Sequence, residues 1–265
     1  MDRFFFDFKD DIAQAKDKKD TPPVSDPGKT AYLTFDDGPS EFTPRLLEIL
    51  NKNSVKATFF VSFQGEDTPE KRKILMREAE EGNSIGIHSW THDYFSIYAN
   101  EENFKKDFQK MRGIIRDATG MDPKISRFPG GTGNSVSIIA SCGETIMPRL
   151  LRDVEAMGVK PFDWNAGGQD AELPYPTTRQ LIRDIVSEAD RRDNPVILLH
   201  DTHQFSIDAV PEIIQSLRVK GYGFKALDPR SPTVRQPFAT KTEVLSSLKR
   251  SLRLIGEFIT LLESK

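Results

Sequence analysis

From Ala31 to Leu227 short runs of β-branched and aromatic residues alternate with longer stretches whose apolar positions recur every three or four residues. The short runs are AYLTF (31–35), KATFFV (56–61), SIGIH (84–88), KISRF (124–128), KPFDW (160–164), VILLH (196–200) and YGFKAL (222–227), each predicting a strand. The intervening periodicity predicts a helix over 68–82, with Thr68 placed to cap it, Pro69 at its first position and Gly82 at its stop. A second is predicted over 103–120, with Phe104, Phe108, Met111, Ile115 and Ala118 on one stripe. A third is predicted over 209–221, with Val210, Ile213, Ile214 and Leu217.

Strands alternating with helices imply a parallel sheet with helices packed outside it. A full eight-unit barrel typically occupies about 250 residues, whereas residues 31–228 hold seven units. The expected fold is therefore α/β, a distorted or incomplete (β/α) TIM-like barrel of about seven parallel strands. Three regions follow: an N-terminal flanking segment (1–29), the domain itself (30–230) and a C-terminal extension (231–265). The first carries the aromatic cluster Phe4, Phe5, Phe6 and Phe8. The last predicts an amphipathic helix with Leu245, Leu248, Leu252, Ile255, Ile259 and Leu262 on one face. Both flanks are expected to cover a side of the core or each other.

Composition narrows the function classes. At 37% hydrophobic and 29% charged residues over 265 positions, the chain is globular rather than disordered. A net charge of −3 without a basic block argues against a nucleic-acid partner. No apolar run approaches the roughly 20 residues of a membrane span. One cysteine, Cys142, permits no internal disulfide and lacks a nucleophile's local signature. The first residues, MDRFFFDFKDD, are too charged for a secretory signal. The protein is then either extracellular or cell-surface, with its leader lying outside this sequence, or cytoplasmic. A monomer is expected.

The chemistry lies in polar residues at strand ends. Asp36 and Asp37 follow the first strand, and His88 ends the third with His92 four residues on. Arg127 lies in the fourth, Asp163 in the fifth with Asp170 beyond it, and His200 ends the sixth. In a parallel α/β fold these ends gather on one face, where catalytic loops collect. His88-x-x-x-His92 suits two imidazoles on one cation, and one aspartate makes a two-nitrogen, one-oxygen set with coordination positions left open. Zinc suits that set, and so does non-haem iron. A cation would also offset the repulsion within the Asp36–Asp37 doublet. An Asx turn before Gly38-Pro39 explains one aspartate but not both. His203 is expected to be a polar residue on the rim rather than a ligand.

Taken in order, TFDDGPS, HSWTH, RFPGG, DWNAGGQD and VILLHD resemble the five motifs of carbohydrate esterase family 4, the NodB-like polysaccharide deacetylases, over residues 30–228. Within it, the bacterial peptidoglycan and chitin-oligosaccharide deacetylases are the most similar branch. The resemblance implies a hydrolase that removes N-acetyl groups from amino-sugar polymers and acts on a polysaccharide or oligosaccharide. Asp37, His88 and His92 would bind one divalent metal, zinc first, with cobalt, nickel, manganese or iron as alternatives. Asp36 would be the general base toward water activated by that metal, with Arg127 paired to it. Gly130 N–H would help hold the oxyanion, and His200 would be the general acid. Leu198 and Trp164 would wall the acetyl methyl.

The sequence departs from the pattern at Gly130, where many relatives carry an aromatic residue, and at Gly167 and Ala171 in the fourth motif. Counting back from His200, Asp170 becomes the carboxylate expected behind that imidazole, with Asp163 in reserve. An O-acetyl esterase acting on xylan and a non-catalytic carbohydrate-binding homologue are the competing readings.

Overall fold

The computed structural model describes residues 28–167, 169–247 and 249. The aromatic cluster at Phe4–Phe8 and the tail positions Leu248, Leu252, Ile255, Ile259 and Leu262 lie outside the described residues. Eight strands form one parallel sheet: β1 (Lys29–Asp36), β2 (Thr58–Ser62), β3 (Ser84–Ser89), β4 (Ile125–Ser126), β5 (Lys160–Pro161), β6 (Ala166–Gly167), β7 (Val196–His200) and β8 (Tyr222–Phe224). Seven run in the order β5-β4-β3-β2-β1-β7-β6, and β8 pairs with the first residues of β1. The sheet curls into an open, distorted barrel, with β5 and β6 as its unpaired ends. The seven sequence-predicted strands are all present. β4 and β5 stop after two residues, and Pro161 has no N–H to extend the ladder. β6 is the addition, too short to leave a hydrophobic signature.

Helices cover the outside: α1 (Thr43–Lys52), α2 (Pro69–Glu80), α3 (Tyr94–Ile97), α4 (Glu101–Thr119), α5 (Val136–Ala140), α6 (Met147–Ala156), α7 (Thr178–Ala189) and α8 (Gln204–Val219). Thr68 caps α2 by accepting from Lys71 N–H at 3.2 Å. Asn100 caps α4, which Gly120 closes at φ 72°. α8 begins five residues before its predicted start, because Ser206 and Ile207 carry its buried stripe further back.

Strand alternation decides which side chains enter the barrel. Tyr32, Phe60, Ile125, Phe162, Val196 and Leu227 form a small inner cluster, whereas Leu33, Phe35, Phe59, Val61, Ile197 and Leu199 join the larger core beneath the helices. With a period of two, Thr34 and Asp36 share the inner face of β1 with Tyr32, and Leu198 and His200 share that of β7 with Val196. Burial on both faces is why these strands read as unbroken apolar runs.

Past β8 the chain runs back along β5. Lys160 Nζ donates to the carbonyls of Pro229 (3.1 Å) and Ser231 (2.8 Å), and Asp163 N–H donates to Val234 O at 3.0 Å. Residues 241–247 are helical, with Val244 buried and Leu245 46% exposed. The face turned to the domain is thus not the one Leu245 would mark.

Candidate active site

β1 and β7 pair in register so that Asp36 stands opposite His200. The turn after β1 carries Asp37 at φ 73°, a left-handed conformation that a non-glycine residue adopts at a cost. Gly38 is required next. A Cβ there would stand 2.1 Å from Asp201 Oδ2, and the buried Asp201 also accepts from the Thr43 hydroxyl at the start of α1.

The HSWTH segment is built around Asp107 of α4. One Asp107 oxygen accepts from Ser89 Oγ (2.7 Å) and Trp90 N–H (2.8 Å), the other from Thr91 N–H (2.8 Å) and Thr91 Oγ1 (2.7 Å). Ser89 Oγ in turn accepts from His92 N–H at 2.9 Å. This holds His92 at φ 57° with its ring over Asp37. Nothing in the run KKDFQK marks Asp107 apart from a surface acid.

Asp37 Oδ1 lies 3.3 Å from His88 Nε2 and 3.1 Å from His92 Nε2, and these three residues form a group able to hold a metal ion. His88 Nδ1 is 2.8 Å from Arg127 O. A carbonyl only accepts, so Nδ1 carries the proton and Nε2 of the neutral ring turns a lone pair toward the carboxylate. Asp37 Oδ1 is buried and accepts no well-formed hydrogen bond. Acceptors facing one another at that distance need a positive charge between them. Burial alone would raise Asp37, yet the two imidazoles hold it well below the usual carboxylate range. Burial likewise disfavours charged His88, but Asp36 and Asp37 raise it. The donor set fits a cation of the zinc type.

Asp36 is buried beside this group, its Oδ2 3.9 Å from His88 Nε2. Arg127, fully buried, donates from Nη1 to Asp36 Oδ1 (2.8 Å) and Thr34 Oγ1 (2.7 Å). Its Nε donates to Phe162 O (3.1 Å) and its Nη2 to Asp163 O (3.2 Å). Its guanidinium lies over the Phe60 ring, 4.3 Å from the centroid. Taking such a pair out of water costs more than it usually returns unless every donor is used. This pair fixes where Asp36 points rather than adding stability.

Asp170 receives His200 Nδ1 at 2.8 Å on one oxygen, and His200 N–H (2.8 Å) and Ser206 Oγ (2.6 Å) on the other. Nε2 of His200 therefore faces the site, 4.0 Å from Asp37 Oδ2. Burial opposes the imidazolium, but Asp170, followed by the charges of Asp37 and Asp36, outweighs it and holds the His200 pKa up at about 9. Asp163, weighed in reserve for this place, is engaged elsewhere. It accepts from the Thr132 N–H (2.9 Å), the Thr132 hydroxyl and Gln236 N–H (2.7 Å).

Gly130, at φ 73°, lies under Tyr94, and a Cβ on it would come within 3.0 Å of the Tyr94 ring. Tyr94 itself stands edge-on to His92, with ring centroids 5.2 Å apart. Burial and the charges of Asp37 and Asp36 push its hydroxyl up to about 12. Sequence reasoning missed this residue, although it stands two places after His92. Half-buried Leu198 and Trp164 meet at Gly167, where a Cβ would lie 3.6 Å from Leu198 Cβ and 3.7 Å from Trp164 Cδ1. His203 packs with Tyr175 and Phe205 rather than with the ligand group. Cys142 is exposed.

Residues 24–145 match the family model described as polysaccharide deacetylase. The peptidoglycan-N-acetylglucosamine deacetylase of Bacillus cereus is 33% identical over 207 residues, 77% of this chain and 71% of the relative. Among solved structures, the catalytic domain of peptidoglycan N-acetylglucosamine deacetylase from Eubacterium rectale superposes with a TM-score of 0.75 at 38% identity, covering 84% of this chain and 98% of that one. A family 4 carbohydrate esterase from Streptomyces lividans, in complex with acetate, superposes with a TM-score of 0.62 at 27% identity, over 79% of this chain and 98% of that one.

Proposed function

Because the chain belongs to the polysaccharide deacetylase family, we propose that it hydrolyses the N-acetyl groups of an amino-sugar polymer, a peptidoglycan or chitin-type N-acetylglucosamine chain, to free amine and acetate. The observation that carries this reading is the convergence of Asp37, His88 and His92 beside two further acid–base groups, Asp36 and His200. Asp37, His88 and His92 would hold one divalent cation, zinc first, with cobalt, nickel, manganese or iron as alternatives. Such a cation supplies Lewis acidity, which makes water a stronger acid and favours negative charge on an acyl oxygen.

The chain's own residues do the rest. Asp36, aimed by Arg127, takes a proton from the water that attacks the acetyl carbon. The carbonyl electrons move to oxygen, where the N–H of Gly130 donates; one such preorganised donor typically contributes about 3 kcal/mol. His200, its imidazolium supported by Asp170, protonates the nitrogen as the C–N bond breaks. Leu198 and Trp164 would flank the methyl and keep water from it.

Every group this chemistry needs comes from one chain, which supports a monomer as the working unit. No helix among the described residues is long and apolar enough to cross a membrane. We place its work at the cell wall, as the peptidoglycan named for the B. cereus relative suggests. The reading also takes the catalytic unit to run from Lys29 to about Gln236, past residue 230, supported by the bonds of Val234 and Gln236 to Asp163.

Acetate release from peptidoglycan, N-acetylglucosamine oligomers and acetylated xylan tests the reaction. Release from the amino sugars is expected. Release from xylan alone would make the protein an O-acetyl esterase, and binding without release would make it a carbohydrate-binding homologue.

The acid assignment has its own signature. Asp170→Asn removes the charge that raises His200 but leaves the burial that lowers it, so the His200 pKa falls from about 9. Because the acid must be protonated, the alkaline limb of kcat/KM is expected to move to lower pH, with kcat down by roughly 10- to 100-fold. An unmoved limb would remove His200 from the role. The same shift has a stability consequence of definite sign. A folded pKa above the ordinary 6.5 means that protonated His200 stabilises the fold below that pH, and the contribution disappears as pH rises through about 9.

A further inference from the structure

Beyond His200 the surface turns aromatic. Tyr175 comes from the loop that follows Asp170, His203 ends the turn that follows His200, and Phe205 lies in the first turn of α8. The rings pack as one group: Tyr175–His203 centroids are 5.1 Å apart, Tyr175–Phe205 5.6 Å, and His203–Phe205 5.5 Å at an interplanar angle of 14°. The group is not sealed. Tyr175 remains 49% exposed and the neighbouring Leu173 79% exposed. A soluble domain rarely leaves such a cluster in water without a use for it.

Its place limits what could use it. Ser206, next to Phe205, donates to the Asp170 oxygen that also receives His200 N–H. The start of α8, which carries Phe205, and the proton donor His200 are thus anchored to one carboxylate. Tyr175 is tilted by 52° to His203 and 45° to Phe205, which stack on each other and back it, so its ring is the one left open to a ligand. A pyranose ring presents apolar C–H faces edged by hydroxyls, which suits such an aromatic face with polar groups at its margin. Exposed Gln169, Glu172 and Gln204 supply such a margin.

We propose that Tyr175, His203 and Phe205 form a stacking platform for a second sugar of the substrate, the residue next along the chain from the one deacetylated at His200. This rests on the deacetylase reading and deepens it: the platform makes the enzyme prefer an oligosaccharide or polymer over a single unit or a dimer. It also supplies an aromatic surface that Gly130 and Ala171 do not.

The test is the chain-length dependence of Tyr175→Ala on N-acetylglucosamine oligomers from dimer to pentamer, scored by acetate release. Calorimetric binding of the fully deacetylated tetramer, which cannot turn over, to the metal-loaded protein reports independently of turnover. Loss of one stacking ring is expected to raise KM and Kd for the tetramer and pentamer by about tenfold while the dimer moves less than about twofold. Tyr175→Phe should restore the wild-type ladder, because it keeps the ring. A uniform rise at every length would mark a structural role and overturn the platform. So would an unchanged ladder, or a change of oligomeric state without a change in the ladder, which would assign the patch to a second copy of this chain. The two proposals fail separately. If the wild-type protein releases no acetate yet binds the tetramer in a Tyr175-dependent way, the reaction falls and the platform stands. If it is active and Tyr175→Ala binds as tightly as wild type, the platform alone falls.

Discussion

Replacing Asp36 with Asn is expected to lower acetate release by roughly 1,000-fold while the protein keeps its metal. The asparagine oxygen occupies nearly the same place and still accepts from Arg127 Nη1, now 2.8 Å from the carboxylate. The group that takes the proton is lost, whereas Asp37, His88 and His92 are untouched. Carbonyl and carboxylate differ in one respect that matters for the fold. Arg127 is fully buried, and without a counter-charge it should destabilise the protein by about 3 kcal/mol. The assay therefore belongs well below the lowered Tm, with elemental analysis of the same sample. Activity within a few-fold of wild type would remove Asp36 from the base role, and loss of metal together with activity would make it a ligand.

What the sequence discloses and what it withholds divide along a physical line. The Asp36–Asp37 doublet and the His88-x-x-x-His92 spacing are legible because the chemistry is local. Two carboxylates at one strand end, and two imidazoles four residues apart, are anomalous as residue types in those places. The strands are legible because burial on both faces leaves apolar runs, and the alternation of Tyr32, Thr34 and Asp36 already directs the last of these inward. Asp107 is hidden for the opposite reason. It lies on a helix whose sequence resembles any solvated face, and only the packing of α4 against β3 turns its carboxylate to the HSWTH turn. Tyr94 over Gly130 and Tyr175 against His203 and Phe205 are likewise products of juxtaposition: each joins segments whose contact no spacing encodes. The choice between Asp163 and Asp170 shows the same limit. Both are buried acids near one motif, and the difference lies in which partner the fold delivers: Thr132 and Gln236 to one, His200 and Ser206 to the other.

Gln236 also bears on where the domain ends. Dividing the sequence at residue 230 puts Gln236 in the C-terminal extension, yet its backbone completes the bonding of Asp163 from a place 73 residues further along the chain. Val234 packs on the inner apolar cluster and Arg235 donates to Pro161 O and pairs with Glu155, so the segment is held by scattered contacts that show no periodic hydrophobic pattern.

The most direct measurement is acetate release from N-acetylglucosamine oligomers by protein stripped of metal, with metal content and Tm followed through stripping and reloading. Activity should fall at least about 100-fold as the last cation leaves and return on addition of one equivalent of zinc per chain. The Tm should fall and recover in parallel, since a ligand that binds only the folded state stabilises it by mass action. Full turnover by protein shown to be metal-free would contradict the account.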